Sequence, residues 1–158
     1  AQEVARAWRE LGVGVEVQVY PLSELNTAII RPRAYDALLF GEVIGRSLDL
    51  FAFWHSSQRN DPGLNLALYA NTKTDRILKD ARATTEEKER RALYDEFAEL
   101  VKLDRPAVFL FAPQFVYVAP SDLRGVTLAP LSNPAERFLS VHEWYLSTER
   151  VWNIFARD

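Results

Sequence analysis

The stretch YDALLFGEVIGRSLDLFAFWHSSQ, residues 35–58, decides how the chain reads. An apolar run over residues 35–40 breaks at Gly41, Gly45 and the charges between and beside them, then closes on the aromatic cluster Phe51, Phe53 and Trp54. That order describes a buried strand opening into a ligand-facing loop. In open α/β sheets ligands gather at the C-terminal ends of strands, because free backbone groups and side chains converge there. The candidate lining residues are therefore Gly41, Glu42, Gly45, Arg46, Trp54 and His55. Trp54 offers a stacking surface and an N–H donor. Core packing is an equally good reading for Trp54, and a better one for Phe51 and Phe53. Glu42 and Arg46 also read as a solvated pair.

Working outward, Val4, Trp8 and Leu11 recur at helical spacing and predict a helix over residues 3–11, with Gly12 as its left-handed stop. Val13, Val15, Val17 and Val19 alternate with Gly14, Glu16 and Gln18, the period of a half-buried strand over residues 13–20 that Pro21 ends. Ser23 is placed to cap a short helix carrying Leu25 and Ile29, which must stop before Pro32. Two strands joined through that helix make a βαβ-like unit. Downstream, Thr72 or Thr74 caps a helix over residues 73–83, and Thr84 and Glu87 form a capping box for a longer one over residues 85–103. The apolar face of the longer helix is Leu93, Phe97, Leu100 and Val101, with Tyr94 beside it. AVFLF (107–111) and FVYVA (115–119) then predict a tight antiparallel pair turning at Pro113. The expected class is α/β, a mixed sheet flanked by helices, occupying residues 1–120. Residues 121–158 show no clear period and form a tail whose Phe138, Trp144, Tyr145, Trp152 and Phe155 are expected to be exposed or to pack on another copy.

At 158 residues, 48% of them hydrophobic, the chain is long and apolar enough for one core. A net charge of −3 gives no basic footprint, which argues against nucleic acid as a partner. With no cysteine, disulfides, thiolate metal sites and cysteine nucleophiles are excluded. Two histidines 87 positions apart make a poor metal site, so no metal and no cofactor are expected. His55 has Ser56 and Ser57 next to it, but no nucleophile elbow surrounds them, and a polar loop role is the better reading. His142, in SVHEWY, reads as solvated or capping. Glu86, Glu87 and Glu89 sit in a first helical turn, where the macrodipole favours anions. The segment Gly41 to Gly45 lacks both the further glycine and the lysine of a phosphate loop. No apolar run is long enough to span a membrane and no signal peptide is present, and the start at AQEVARAW inside a predicted helix reads as the C-terminal piece of a longer protein.

VARAWRELGVGVEVQVY (4–20), YDALLFG (35–41), LNLALYANTKTDRILKDAR (64–82) and ERRALYDEFAELVKLDRPAVFLFAPQFVYVAPSDLRGV (89–126) follow one another in an order that resembles the family 5 extracellular solute-binding proteins, the oligopeptide, dipeptide and nickel receptors of ABC importers. The resemblance implies a type II periplasmic-binding-protein-like C-terminal lobe, a non-enzymatic capture module outside the cytoplasm of a bacterium or archaeon. Its implied partners are a peptide or small-molecule ligand, an N-terminal lobe of the same receptor toward which the 121–158 tail returns, and an ABC permease. In the peptide-binding branch the loop after the strand reads like W-x-x-D-Y-x-D-P and pairs an aspartate with the ligand's amino terminus. Here Glu42 stands where the tryptophan is usual, Ile44 and Gly45 lie near the place of the aspartate, and Leu48 precedes Asp49 where the proline would be. The resemblance thus assigns the amine-pairing role to no residue, and leaves a peptide, a sugar or another small solute open. The alternatives from other classes are a small α/β hydrolase or transferase and a sensing ectodomain built on the same fold.

Overall fold

The computed structural model describes residues 1–45, 48–127 and 131–146. The four predicted helices form. Helix α1 (Gln2–Glu10) buries Ala5 and ends at Gly12, whose φ of +84° is the left-handed stop and whose N–H reaches the Arg9 carbonyl at 2.9 Å. Its expected apolar face is only partly covered, with Trp8 40% and Leu11 81% exposed. A short helix α2 (Leu22–Glu24) runs into a wider turn of helix, Leu25–Ile30, which buries Ile30 and half-buries Leu25 and Ile29. Helix α3 (Phe51–Trp54) is a single turn. Helices α4 (Thr72–Ala83) and α5 (Glu87–Asp104) are the two long ones, and they pack on each other.

Three caps differ from the sequence reading. Ser23 lies inside α2, which begins after Pro21 without a side-chain cap. Asn71, not Thr72 or Thr74, caps α4, its side-chain oxygen accepting from Lys73 N at 2.9 Å and Thr74 N at 3.4 Å. Thr74 is fully buried and donates back to the Asn71 carbonyl. Thr84 does not open α5; its hydroxyl donates to the Asp80 carbonyl at 2.7 Å and so closes α4. Helix α5 begins at Glu87 without a side-chain cap, and the Thr84–Glu87 box does not form. A Thr at a helix junction has a free carbonyl behind it as well as free amides ahead, and here the carbonyl takes it.

The larger correction concerns the sheet. None of the segments 13–20, 35–40, 107–111 and 115–119 pairs as a strand among the described residues; each runs extended or turned without a ladder. The period-2 signal survives in part, with Val15 and Val17 half-buried against an exposed Glu16, and Arg9 donates to the Val15 carbonyl at 2.7 Å. But Val19 is 84% exposed, Phe111 84% and Val118 87%. Alternation states which side of a strand wants burial; a ladder also needs a neighbouring backbone, and residue pattern does not encode where that neighbour comes from. The pairing that does form is two residues long, β1 (Leu123–Arg124) antiparallel to β2 (Tyr145–Leu146), inside the stretch that showed no period.

The chain divides into two units. The first, Ala1–Glu42 with Asp49–Val108, holds the core: Trp54, Tyr69, Ile77, Leu78, Phe97 and Val101, with Phe51, Phe53, Leu93, Tyr94 and Leu100 against them. Burial of each large apolar side chain contributes about 1.5–3 kcal/mol, so the α4–α5 seam with the α3 turn laid on it is the main source of stability. The second unit, Val43–Leu48 with the chain from Phe109 onward, carries the β1–β2 ladder. Its aromatic cluster sets Arg137 over the rings of Phe138 (4.0 Å), Tyr117 (5.2 Å) and Phe115 (5.5 Å), with Trp144 beside Phe138 and Tyr117. Phe138 is 43% and Tyr145 61% exposed, as the tail's composition suggested, while Trp152 and Phe155 lie outside the described residues. Gly125 beside β1 has φ +76°, and a Cβ there would stand 2.0 Å from the Glu143 carbonyl oxygen. Gly125→Ala is therefore expected to open the ladder, combining a left-handed penalty of about 1–2 kcal/mol with a backbone clash. Gly14→Ala, which meets nothing within 4 Å, should leave amide shifts across β1 and β2 in place, and the two variants can be compared by NMR.

Candidate functional site

The sequence candidates fall into three groups. Gly41 and Glu42 are exposed at the end of the first unit's opening segment, and Gly45 belongs to the second unit. Arg46 lies outside the described residues. Glu42 is exposed as a whole residue, yet local desolvation of its carboxyl pushes it up to about 7. Burial raises the half-buried Tyr35, Glu42 adds to that shift, and the Tyr35 hydroxyl donates to the Leu66 carbonyl at 2.7 Å.

Trp54 and His55 form the third group and are interior. Trp54 is 8% exposed, its indole edge-on to Tyr69 (6.3 Å) and to Phe97 (5.9 Å). Of the two readings that its sequence position allows, core packing describes this placement. His55 ends α3 and starts the turn Ser56–Gln58. Its ring is 6% exposed and stacks on Phe51 with centroids 4.1 Å apart. Over the same Phe51 ring lies the Arg82 guanidinium, which pairs with Asp49.

The hydrogen bonds around His55 fix its tautomer. Ser57 N–H donates to Nδ1 at 3.1 Å and the Ser57 hydroxyl stands 2.8 Å from the same atom, so Nδ1 is the acceptor and the proton sits on Nε2. Among the described residues Nε2 has no hydrogen-bond partner, and the acid facing it is Asp75, with Oδ1 at 3.9 Å. Asp75 is occupied elsewhere, accepting from Ser56 N at 2.8 Å and from the Ser56 hydroxyl at 2.5 Å. Burial holds the His55 pKa below its ordinary 6.5; Asp75 opposes that shift, and Lys79 and Arg82 add to it. Serine, histidine and aspartate thus meet, but the arrangement is one of capping. The Ser57 amide is turned inward to Nδ1, and the carboxylate is held by Ser56 rather than by the imidazole.

Beneath this turn lies Asn65, fully buried. Its amide donates to the carbonyls of Trp54 (3.2 Å), His55 (3.2 Å) and Tyr69 (2.9 Å), and its oxygen accepts from Tyr69 N at 3.1 Å. Arg33 braces the far side of the same loop, donating to the carbonyls of Arg59 (2.8 Å) and Gly63 (2.6 Å). Tyr69 reaches Asp104 at 2.6 Å, which with a second bond from Asn71 holds that carboxyl below its usual range. Asn65, Asp75, Arg82 and Arg33 escaped the sequence reading because each acts on a partner 10 to 33 positions away. The one local hint was an Asn between two leucines in LNL, a polar residue where a core residue was due.

Among the described residues no cluster of three or more histidine, aspartate or glutamate side chains is arranged to hold a metal. His142 is exposed and faces Glu143 at 3.9 Å, and Glu87 and Glu89 lie in the first turn of α5, exposed. No helix among the described residues is long and apolar enough to cross a membrane.

Comparison with known proteins places this geometry in context. No protein-family profile matches the chain, and no solved structure matches it. Over 140 residues, 88% of its length, the chain is 26% identical to the oligopeptide-binding protein AppA of Bacillus subtilis (strain 168). Those residues make up 25% of AppA, so the chain spans about a quarter of the length of the curated relative it matches.

Proposed function

We propose that the chain is the C-terminal α/β lobe of the substrate-binding component of an ABC importer, working outside the cytoplasm of a bacterium or archaeon and capturing a peptide or another small solute for uptake. The observation that carries the reading is the extent of the similarity to an oligopeptide-binding protein: it runs through nearly the whole chain. The α1, α4 and α5 helices form where the apolar periodicity of the sequence predicts them. On this reading the chain binds and does not catalyse. Gly41, Glu42, Gly45 and Arg46 remain the proposed ligand-binding residues, and Trp54 and His55 belong to the interior of the first unit. The remaining partners are an N-terminal lobe that completes the cleft and receives the 121–158 tail, and the permease that reads the closed form.

Half of a cleft offers half of the burial and half of the polar partners. Calorimetric titration with a library of short peptides is therefore expected to show binding by the full-length receptor and little by the 158-residue chain alone, which should still melt in one cooperative transition. Equal affinity in the two samples contradicts the two-lobe reading. Within the full-length receptor, Glu42→Ala should weaken binding with little change in melting temperature, because Glu42 is an exposed residue outside the hydrophobic core cluster.

A further inference from the structure

We infer that His55 is an acid-released latch on the loop of residues 56–63, a conformational device that stands independently of the transport reading. The latch is the bond from Ser57 N–H to the unprotonated Nδ1, which starts the Ser56–Gln58 turn. The turn carries the loop onward: Gln58 N donates to the His55 carbonyl at 2.9 Å, and Asn65 N donates to the Gln58 carbonyl at 3.0 Å. A proton on Nδ1 replaces the acceptor by a donor and sets it against the Ser57 N–H in a buried site, while the Ser57 hydroxyl, 2.8 Å away, can turn to accept from the ring. The Ser57 N–H then loses its acceptor, and the turn is no longer held by it.

The charges around the ring decide which way it goes. All come from α4 or lie beside it. Asp75 faces Nε2 and favours the cation, but its two oxygens are already held by Ser56. Lys79 and Arg82 disfavour it, and Arg82 is itself tied to Asp49. The stacked Phe51 ring closes one face of the imidazole to water. With Asp75 already engaged by Ser56, the imidazolium gains little by staying, so release of Ser57 relieves the site. The sign follows. A histidine whose folded pKa lies below its unfolded value contributes its full stability above about 6.5 and loses it as pH falls from there toward the folded value. The loop is latched at neutral pH and loosened in acid.

The test is an amide NMR titration of the chain from about pH 8 to about pH 5, comparing wild type, His55→Asn and Lys79→Gln. Asparagine is a good cap acceptor and carries no titrating proton, so His55→Asn keeps the Ser57 bond and removes the switch. In wild type the Ser57, Gln58 and Arg59 amides are expected to move together with one midpoint below 6.5. In His55→Asn they should stay still. Lys79 is exposed, so Lys79→Gln leaves the fold intact and should raise the midpoint. A Ser57 amide that does not respond in wild type, or that titrates alike in His55→Asn, overturns the latch. Should His55→Asn fail to fold, an unmoved midpoint in Lys79→Gln overturns it equally.

Discussion

Asn65→Ala is expected to destabilise the chain by roughly 3 kcal/mol or more, a fall in melting temperature on the order of 10 °C for a chain of this size. The side chain is fully buried and makes four hydrogen bonds, so its removal leaves the Tyr69 carbonyl and amide without their donor and acceptor in the interior and takes a donor from the carbonyls of Trp54 and His55. Asn65→Asp is the sharper comparison. It keeps the volume and the oxygen that accepts from Tyr69 N, but it turns a donor into an acceptor opposite the carbonyls of Trp54, His55 and Tyr69. Aspartate should therefore cost at least as much as alanine. Chemical denaturation of both variants checks this, and an Asn65→Asp variant as stable as wild type would show that the three carbonyls do not depend on the Asn65 amide.

Trp54→Ala should cost about 3–5 kcal/mol, because the indole is a centre of the core between Tyr69 and Phe97 and its loss leaves a cavity that α4 and α5 cannot close. The same substitution separates packing from binding when two quantities are measured on one sample of the full-length receptor. Core packing predicts a large fall in stability with an unchanged ligand dissociation constant for the folded fraction. A tenfold to hundredfold weaker ligand at nearly unchanged melting temperature, about 1–3 kcal/mol of lost contact, would put the ring in the cleft instead.

The helices were legible because each carries its own information. Ile77, Leu78 and Ala81 on α4 and Phe97 and Val101 on α5 mark one face apiece, and those faces are the ones buried. Their ends were less legible: the competition of Thr84 between the carbonyl behind and the amides ahead is settled by geometry, not by residue type. Strands carry half the information. Val13 to Val19 and the apolar runs 107–111 and 115–119 state a wish for burial without naming a neighbour, and among the described residues the neighbour is not there. The candidate site divides the same way. His55 was visible as a polar residue after an aromatic turn, whereas its surroundings, Ser57 on one nitrogen and Asp75 near the other, depend on α4 returning beside α3. Trp54 shows the limit of position alone, since an aromatic residue at the end of a loop serves a cleft or a core with the same sequence.

The central claim, capture of a small solute by a receptor that contains this chain, is tested most directly by native mass spectrometry of the full-length protein purified from its own cells. The account predicts a population heavier than the polypeptide by the mass of one small solute, released on denaturation and identifiable as a peptide or another transported compound. A uniformly bare protein that takes up no member of a peptide and sugar library, and instead turns over a generic ester or peptide, would contradict it.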